Sequence, residues 1–135
     1  MSPPSPEPPA TPSDGGNIAV LRGEISTAPT VRELPAGGVV VNFDVATSAP
    51  GAGRGTGRVP VAWPDPPVSA RRGVDVGTTV VVVGSVRRRF FRSGGVTQSR
   101  TEVVAAEVVR VRRGVAVRTL LESTAAAVDA LAPPR

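Results

Sequence analysis

The chain of 135 residues carries a net charge of +5 and contains neither cysteine nor histidine. These absences exclude disulfides, Cys/His zinc sites and catalysis by Cys–His or Ser–His pairs, so we expect no cofactor. No apolar run approaches the roughly 20 residues that cross a membrane, and no secretory leader is recognisable. We therefore expect a cytoplasmic protein without a membrane partner.

Valine dominates the apolar residues of the chain. It occurs 25 times, whereas isoleucine occurs twice. Because β-branched residues favour strands over helices, the expected fold class is all-β.

The positive charge comes from arginine alone and is concentrated in the central part of the chain. Residues 17–113 contain 14 Arg against 7 Asp and Glu, which gives this segment a net charge of +7. An excess of this size suits a polyanionic partner such as nucleic acid.

The chain begins with a proline-rich segment and then turns to strands. Residues 1–16 contain six prolines among Ser, Thr, Glu and Gly, a composition that favours a solvated, disordered leader. Residues 17–25 (NIAVLRGEI) read as the first strand. Ile18 and Val20 lie on its outward face, so either the flanking chain or a partner is expected to cover them.

The next two strands are joined by a glycine-rich loop. An extended piece, TVREL, leads into the second full strand, VVVNFDVAT. The loop over residues 48–57 carries Arg54 but lacks the Lys and Ser/Thr of a phosphate-binding loop. Residues 58–63 (RVPVAW) form the third strand, with Arg58 at its start and Trp63 at its end. A lone Trp in this place is more often a core residue than a stacking platform, and both interpretations stay open.

Residues 77–111 read as a long hairpin with a basic, aromatic tip. Two runs of β-branched residues flank a turn at Gly94 and Gly95. The tip residues are Arg87, Arg88, Arg89, Phe90, Phe91 and Arg92, with Arg100 on the returning strand. Guanidinium groups bind phosphate oxygens and aromatic rings stack on unpaired bases, so this tip is typical of a nucleic-acid contact. Because adjacent strand residues point to opposite faces, we predict that one of the two rings faces the core.

The end of the chain is less regular. Apolar residues occupy both faces of the returning strand, which predicts a bulge near Ala105 or a second packed surface. After Gly114, the run VAVRTL predicts a sixth strand and LESTAAAVDAL predicts a helix.

Five strands, with a short helix expected after the third, describe an OB-fold. We predict a five-stranded Greek-key barrel over residues 17–113, with a long hairpin between strands four and five. Residues 114–135 are predicted to be a C-terminal extension. The predicted nucleic-acid contacts are Arg54, Arg58, Trp63, Arg87, Arg88, Arg89, Phe90, Phe91, Arg92 and Arg100.

The order of these segments resembles the bacterial single-stranded DNA-binding protein (SSB) family, in its actinobacterial type. The segments that carry the resemblance are NIAVLRGEI, VREL, PAGGVVVNFDVATS, RVPVAW, GTTVVVVGSVRRRFFRSGG and SRTEVV, which extend from Asn17 to Arg113. None of these segments is a catalytic signature. Their order and spacing along the chain carry the match.

The resemblance implies sequence-tolerant binding of single-stranded DNA by a homo-oligomer, a tetramer or a dimer, in replication, recombination and repair at the nucleoid. It implies a stacking role for Phe91 and a phosphate-binding role for the basic run that ends at Arg89. It also places Trp63 within one residue of another stacking position. Two further stacking tryptophans of the family are replaced here by Gly51 and Arg58. The chain ends in LAPPR rather than in the family's acidic tip, so we do not expect its tail to recruit repair enzymes.

Two other classes of function stay open at this point. An RNA-binding barrel would have the same charge and aromatic pattern, since neither charge nor stacking distinguishes ribose from deoxyribose. A protein-interaction barrel would use the outward valines and would not bind oligonucleotides in a salt-dependent way. An enzyme is not expected, because the nearest acid pair, Glu102 and Glu107, has an odd spacing and no partner base or nucleophile.

Overall fold

The computed structural model describes residues 15–48 and 57–134 of the chain. The predictions made for residues 1–14 of the leader and for Arg54 lie outside the described residues. The elements are β1 (Ala19–Ile25), β2 (Thr30–Glu33), β3 (Val39–Thr47), β4 (Gly57–Pro64), α1 (Val68–Arg71), β5 (Thr79–Ser93), β6 (Val96–Arg110) and α2 (Gly114–Asp129). No helix in the described part of the chain is long and apolar enough to cross a membrane.

Five strands close into the predicted OB-fold barrel, and a sixth lies on its edge. The strand order is β1-β5-β6-β4-β3-β2, and β1 also pairs with β3. Closure is achieved because β3 offers one edge to two strands: residues 39–42 pair with β2, and residues 45–46 pair with β1. The strand count therefore exceeds the prediction by one, since the extended piece TVRE forms a short strand of its own.

The interior is built from alternate residues of the strands, as the valine pattern predicts. The buried cluster contains Ile25, Val41, Phe43, Val45, Val61, Trp63, Val74, Val80, Val82, Val103, Ala105 and Val108. Apolar side chains on β3, β4 and β5 meet here because period-two alternation sends them all to one face. Helix α1, between β4 and β5 as predicted, packs Ala70 against this cluster.

Two backbones approach very closely where β5 bends. Val83 pairs with Glu107 and Gly84 pairs with Ala105, so Ala106 is the extra residue of a bulge, which confirms the bulge predicted near Ala105. A Cβ on Gly84 would lie 1.9 Å from the carbonyl oxygen of Val104. Only glycine leaves enough room for this contact between strands.

The C-terminal extension differs from the prediction. The run VAVRTL is not a strand, because it begins the single helix α2, which runs from Gly114 to Asp129. This helix lies over the outer face of the sheet at the base of the β5–β6 hairpin. The groove of about 570 Å³ beneath it is lined by residues that include Ile18, Pro64, Val83, Val104, Leu120 and Ala127. The flanking chain thus covers Ile18 only in part, and Val20 stays 47% exposed.

The hairpin of β5 and β6 is longer than the barrel. Among the described residues, β1 pairs with β5 only as far as Gly84, and β4 pairs with β6 at Val103 and Val104. Beyond these points the two strands pair only with each other, over a register that runs from Arg87 opposite Glu102 to Ser93 opposite Val96. We call this part, residues 87–102, the ribbon.

The close approach at Gly84 gives a test of the barrel. We expect Gly84→Ala to lower the free energy of unfolding by about 1–3 kcal/mol, because the added methyl group overlaps a backbone carbonyl. Chemical denaturation measures the change. Gly57→Ala is the matched control, since its Cβ would meet only the Thr47 hydroxyl, at 3.9 Å. A Gly84→Ala protein as stable as the Gly57→Ala protein would contradict the bulge geometry.

Candidate nucleic-acid interface

The ribbon has two faces, and each carries one aromatic ring. Side chains alternate along β5, so Arg87, Arg89 and Phe91 point to one face and Arg88, Phe90 and Arg92 point to the other. We call the first the outer face, because it continues the outer face of the barrel, and the second the reverse face.

Both rings are accessible, which corrects one prediction. Phe90 is 66% exposed, and Phe91 is partly buried. The rings do point to opposite faces, but neither lies in the core. The reason is that the ribbon has already left the barrel at this point, so its inward-pointing positions meet solvent.

An open polar groove lies on the outer face where the ribbon meets the barrel. Its volume is about 190 Å³, and its walls come from β2, β3, β4, β5 and β6. The lining residues include Thr30, Arg32, Asn42, Asp44, Pro60, Arg89, Arg100 and Glu102. Three guanidinium groups thus converge on one groove, which suits an anionic ligand such as a phosphate backbone.

An ion pair with one buried partner fixes the root of the ribbon. The Arg87 guanidinium donates a hydrogen bond of 2.6 Å to Glu102 Oε1 across the two strands. The Glu102 side chain is only 4% exposed, whereas that of Arg87 is 51% exposed. A carboxylate removed from water needs a charged partner, so we assign Arg87 a structural role at this position.

A second ion pair links the ribbon to β3. Arg100 Nη2 lies 3.4 Å from Asp44 Oδ1 across the groove. Arg100 also stands directly opposite Arg89 in the strand register. Two like charges in directly opposed positions repel each other, and the Asp44 carboxylate offsets that repulsion. In the described ranges, 15–48 and 57–134, ion pairs are confined to Arg87 and Arg100.

Arginine and phenylalanine are paired in the same way on both faces of the ribbon. The guanidinium carbon of Arg89 lies 5.7 Å from the centre of the Phe91 ring, and that of Arg88 lies 5.8 Å from the centre of the Phe90 ring. These distances are within the range of cation–π attraction. Each face therefore presents a cation over one side of a ring, which brings together the two groups that a nucleotide's phosphate and base require.

The remaining predicted contacts have different outcomes. Trp63 is 4% exposed and belongs to the core cluster, so the prediction that it contacts nucleic acid is wrong. A ring with both faces packed against core side chains cannot stack on a base. Arg58 lies opposite Ala46 on the outer face of the barrel, and Arg92 is exposed on the reverse face.

The sequence interpretation missed Arg32. This residue lies on β2, opposite Val40, and lines the groove with Arg89 and Arg100. The alternation in TVRE, which places Thr30 and Arg32 on one face, was the available signal. This signal was not used to predict a contact at Arg32, because the sequence showed no partner strand for a piece of only four residues.

The comparisons with known proteins agree with this geometry. Residues 17–111 match the single-strand binding protein family. The chain belongs to that family. The match spans all six strands, including the ribbon, and ends before α2.

A solved member of the SSB family has the same fold. The structure of the Plasmodium falciparum SSB complex with ssDNA superposes with a TM-score of 0.63 at 19% sequence identity. The alignment covers 74% of this chain and 98% of the Plasmodium chain. Comparison with curated proteins gave no sequence match.

The ion pair at the root of the ribbon can be tested by its effect on stability. We expect Arg87→Ala to lower the free energy of unfolding by about 1–3 kcal/mol, because the buried Glu102 carboxylate loses its donor. Arg89→Ala is the control, since Arg89 forms no ion pair with the described residues, and its effect should stay within about 0.5 kcal/mol. Equal effects of the two substitutions in urea denaturation would contradict the structural role of Arg87.

Proposed function

We propose that this SSB-family chain binds single-stranded DNA along the outer groove and the outer face of the ribbon. The observation that carries the proposal is the convergence of Arg32, Arg89 and Arg100 on one groove, with the partly exposed Phe91 ring next to Arg89. The arginines attract phosphates, and the ring stacks on an unpaired base. Duplex DNA keeps its bases stacked on one another, so a stacking ring favours the single strand.

Binding of this kind has little dependence on base sequence. A ring stacks on any base, and a guanidinium group on a phosphate reads no base edge. The same proposal places the chain in DNA replication, recombination or repair, where single strands are exposed. Competition between matched dT and U oligomers separates this function from RNA binding, because only the sugar and the thymine methyl group differ.

The proposed interface gives a salt-dependent affinity. We expect the affinity for a dT oligomer to fall as salt rises, with a slope of about 0.7 in log K per log salt for each phosphate contact. Arg89→Ala should reduce that slope by about 0.7, which is the contribution of one phosphate contact. Fluorescence anisotropy of a labelled dT oligomer measures both quantities. An affinity that stays constant as salt rises would contradict the proposal.

The stacking role of Phe91 has its own test. Phe91→Leu keeps an apolar side chain but removes the aromatic face, so binding should weaken by about 1–3 kcal/mol. Val96→Ala is the control, because Val96 is 62% exposed at the tip of the same hairpin and has no ring. If both substitutions weaken binding equally in the same anisotropy assay, Phe91 does not stack on a base.

The proposal includes self-assembly through helix α2. Apolar residues recur on one side of the helix, at a spacing that suits packing against another helix. They are Val117, Leu121 and Val128 within α2 and Leu131 just beyond its end, and we call these four residues the seam. Thr124, which lies between them in the sequence, is buried and lines the groove against the barrel. Leu121, Val128 and Leu131 are 40%, 49% and 54% exposed, so this side of α2 is available to the same helix of a second copy.

Assembly is tested by the mass in solution. We expect the chain to form a homo-oligomer and the double variant Leu121→Glu, Val128→Glu to dissociate, because charges in an apolar seam lose hydration without gaining a partner. Light scattering after size exclusion gives the mass. Val115→Glu is the control, since Val115 is 84% exposed but lies on the opposite side of the helix. A monomeric parent chain, or an unchanged mass of the double variant, would contradict this part of the proposal.

A further inference from the structure

We infer that the reverse face of the ribbon is a second single-strand site, so that one chain holds two separate segments of polynucleotide. This inference rests on the proposed function of the outer face. It concerns residues that do not line the outer groove: Arg88, Phe90 and Arg92 on β5, with Thr97, Ser99 and Thr101 opposite them on β6.

The reverse face repeats the chemistry of the outer face. Arg88 lies over the Phe90 ring at nearly the same distance as Arg89 lies over the Phe91 ring, 5.8 Å against 5.7 Å. Arg88 Nε also donates a hydrogen bond of 3.3 Å to Ser99 Oγ, which directs the side chain along the face. The face thus offers a ring, two cations and hydroxyl donors to a strand with its bases unpaired.

The exposure of Phe90 indicates a ligand rather than a structural role. The ring is 66% exposed, more than the other two phenylalanines, Phe43 in the core and Phe91. A ring that packs against so little of the chain contributes little to folding, since hydrophobic stabilisation scales with the area removed from water. The same exposed area is available to a base.

The two faces are separate sites because the ribbon itself lies between them. Face-to-face layers of β structure are about 10 Å apart, so strands on the two faces would lie at least that far from each other. This distance is about one Debye length at 0.1 M salt. The five arginines of the ribbon lie between the two polyanions, and repulsion between the strands is therefore weak. Reverse-face residues continue toward Val86 at the barrel mouth, not toward the groove.

Two segments held on one ribbon would be kept close together. A protein of this kind can bring two single strands into contact, or pass one strand from the first face to the second. The class of ligand is the same on both faces, a single-stranded polynucleotide recognised by its phosphates and its unpaired bases.

The test counts binding sites per chain in the full-length protein. The probe is a dT oligomer of about six nucleotides, within the span of about 4–16 nucleotides that one OB-fold covers. Titration at about 0.1 M salt, where the Debye length is about 10 Å, with protein well above the dissociation constant, gives the number of oligomers per chain. This number does not depend on how many chains associate. We expect two oligomers per chain for the parent protein, and one for either of two variants.

The two variants remove one face each. The reverse-face variant is Arg88→Ala, Phe90→Ala, Arg92→Ala, and the outer-face variant is Arg89→Ala, Phe91→Ala. These positions lie outside the core cluster, and circular dichroism verifies that both variants fold. At saturation, two differently labelled oligomers bound to one chain should also show energy transfer, and this transfer should be weaker in the reverse-face variant.

The outcomes separate the inference from the function on which it rests. If the parent chain binds one oligomer, and the reverse-face variant also binds one with the same affinity, the inference is overturned and the proposed function stands. A reverse-face variant that changes the mass of the particle but not the number of sites also overturns it, because the face is then a protein contact. Loss of all binding by the outer-face variant overturns it as well, since the reverse face then holds no strand alone. No binding by the parent protein removes the proposed function itself.

Discussion

The geometry of the interface depends on a difference in strand length. β5 and β6 have 15 residues each, whereas β1 has seven and β4 has eight. The surplus residues have no neighbouring strand except each other, so they must leave the barrel as a two-stranded ribbon. From that point the inward-pointing positions meet water instead of the core. The same alternation that buries Val80 and Val82 therefore exposes Arg88 and Phe90.

The charges that position the ribbon are separate from those that are available to a ligand. Arg87 is held by the buried Glu102 carboxylate, and Arg100 by Asp44. Each of these guanidinium groups has part of its charge already offset, which reduces its attraction for a phosphate. Arg89, placed between them in the groove, keeps its full charge. A count of arginines in the sequence therefore overstates the charge that DNA would meet. A strongly basic chain can thus bind DNA with an affinity that changes only weakly with salt concentration.

Much of the barrel follows from period-two alternation, which the sequence displays directly. The core valines and the hairpin were predicted in this way, and the bulge near Ala105 was predicted where the alternation breaks down. The point at which the barrel ends along β5 is not a local property, because it is set by the lengths of β1 and β4. For this reason one of the two Phe rings was predicted to face the core, and neither belongs to the core cluster. Trp63 was ambiguous in the sequence because residues distant in the chain, such as Val41 opposite it on β3, decide whether the ring is covered.

The first six residues of helix α2 that follow Gly114 indicate a strand when they are considered alone. In VAVRTL the residues Val115 and Val117 alternate with polar or small neighbours, which is the pattern of a strand. Extended to Leu131, the apolar residues recur every three or four positions, and the run of alanines at 125–127 has the highest helix propensity of any residue type. The longer period decides the structure, and it extends over the whole of α2 from Gly114 to Asp129. A helix satisfies its own backbone hydrogen bonds, so it can follow β6 without a partner strand and cover the outer face instead.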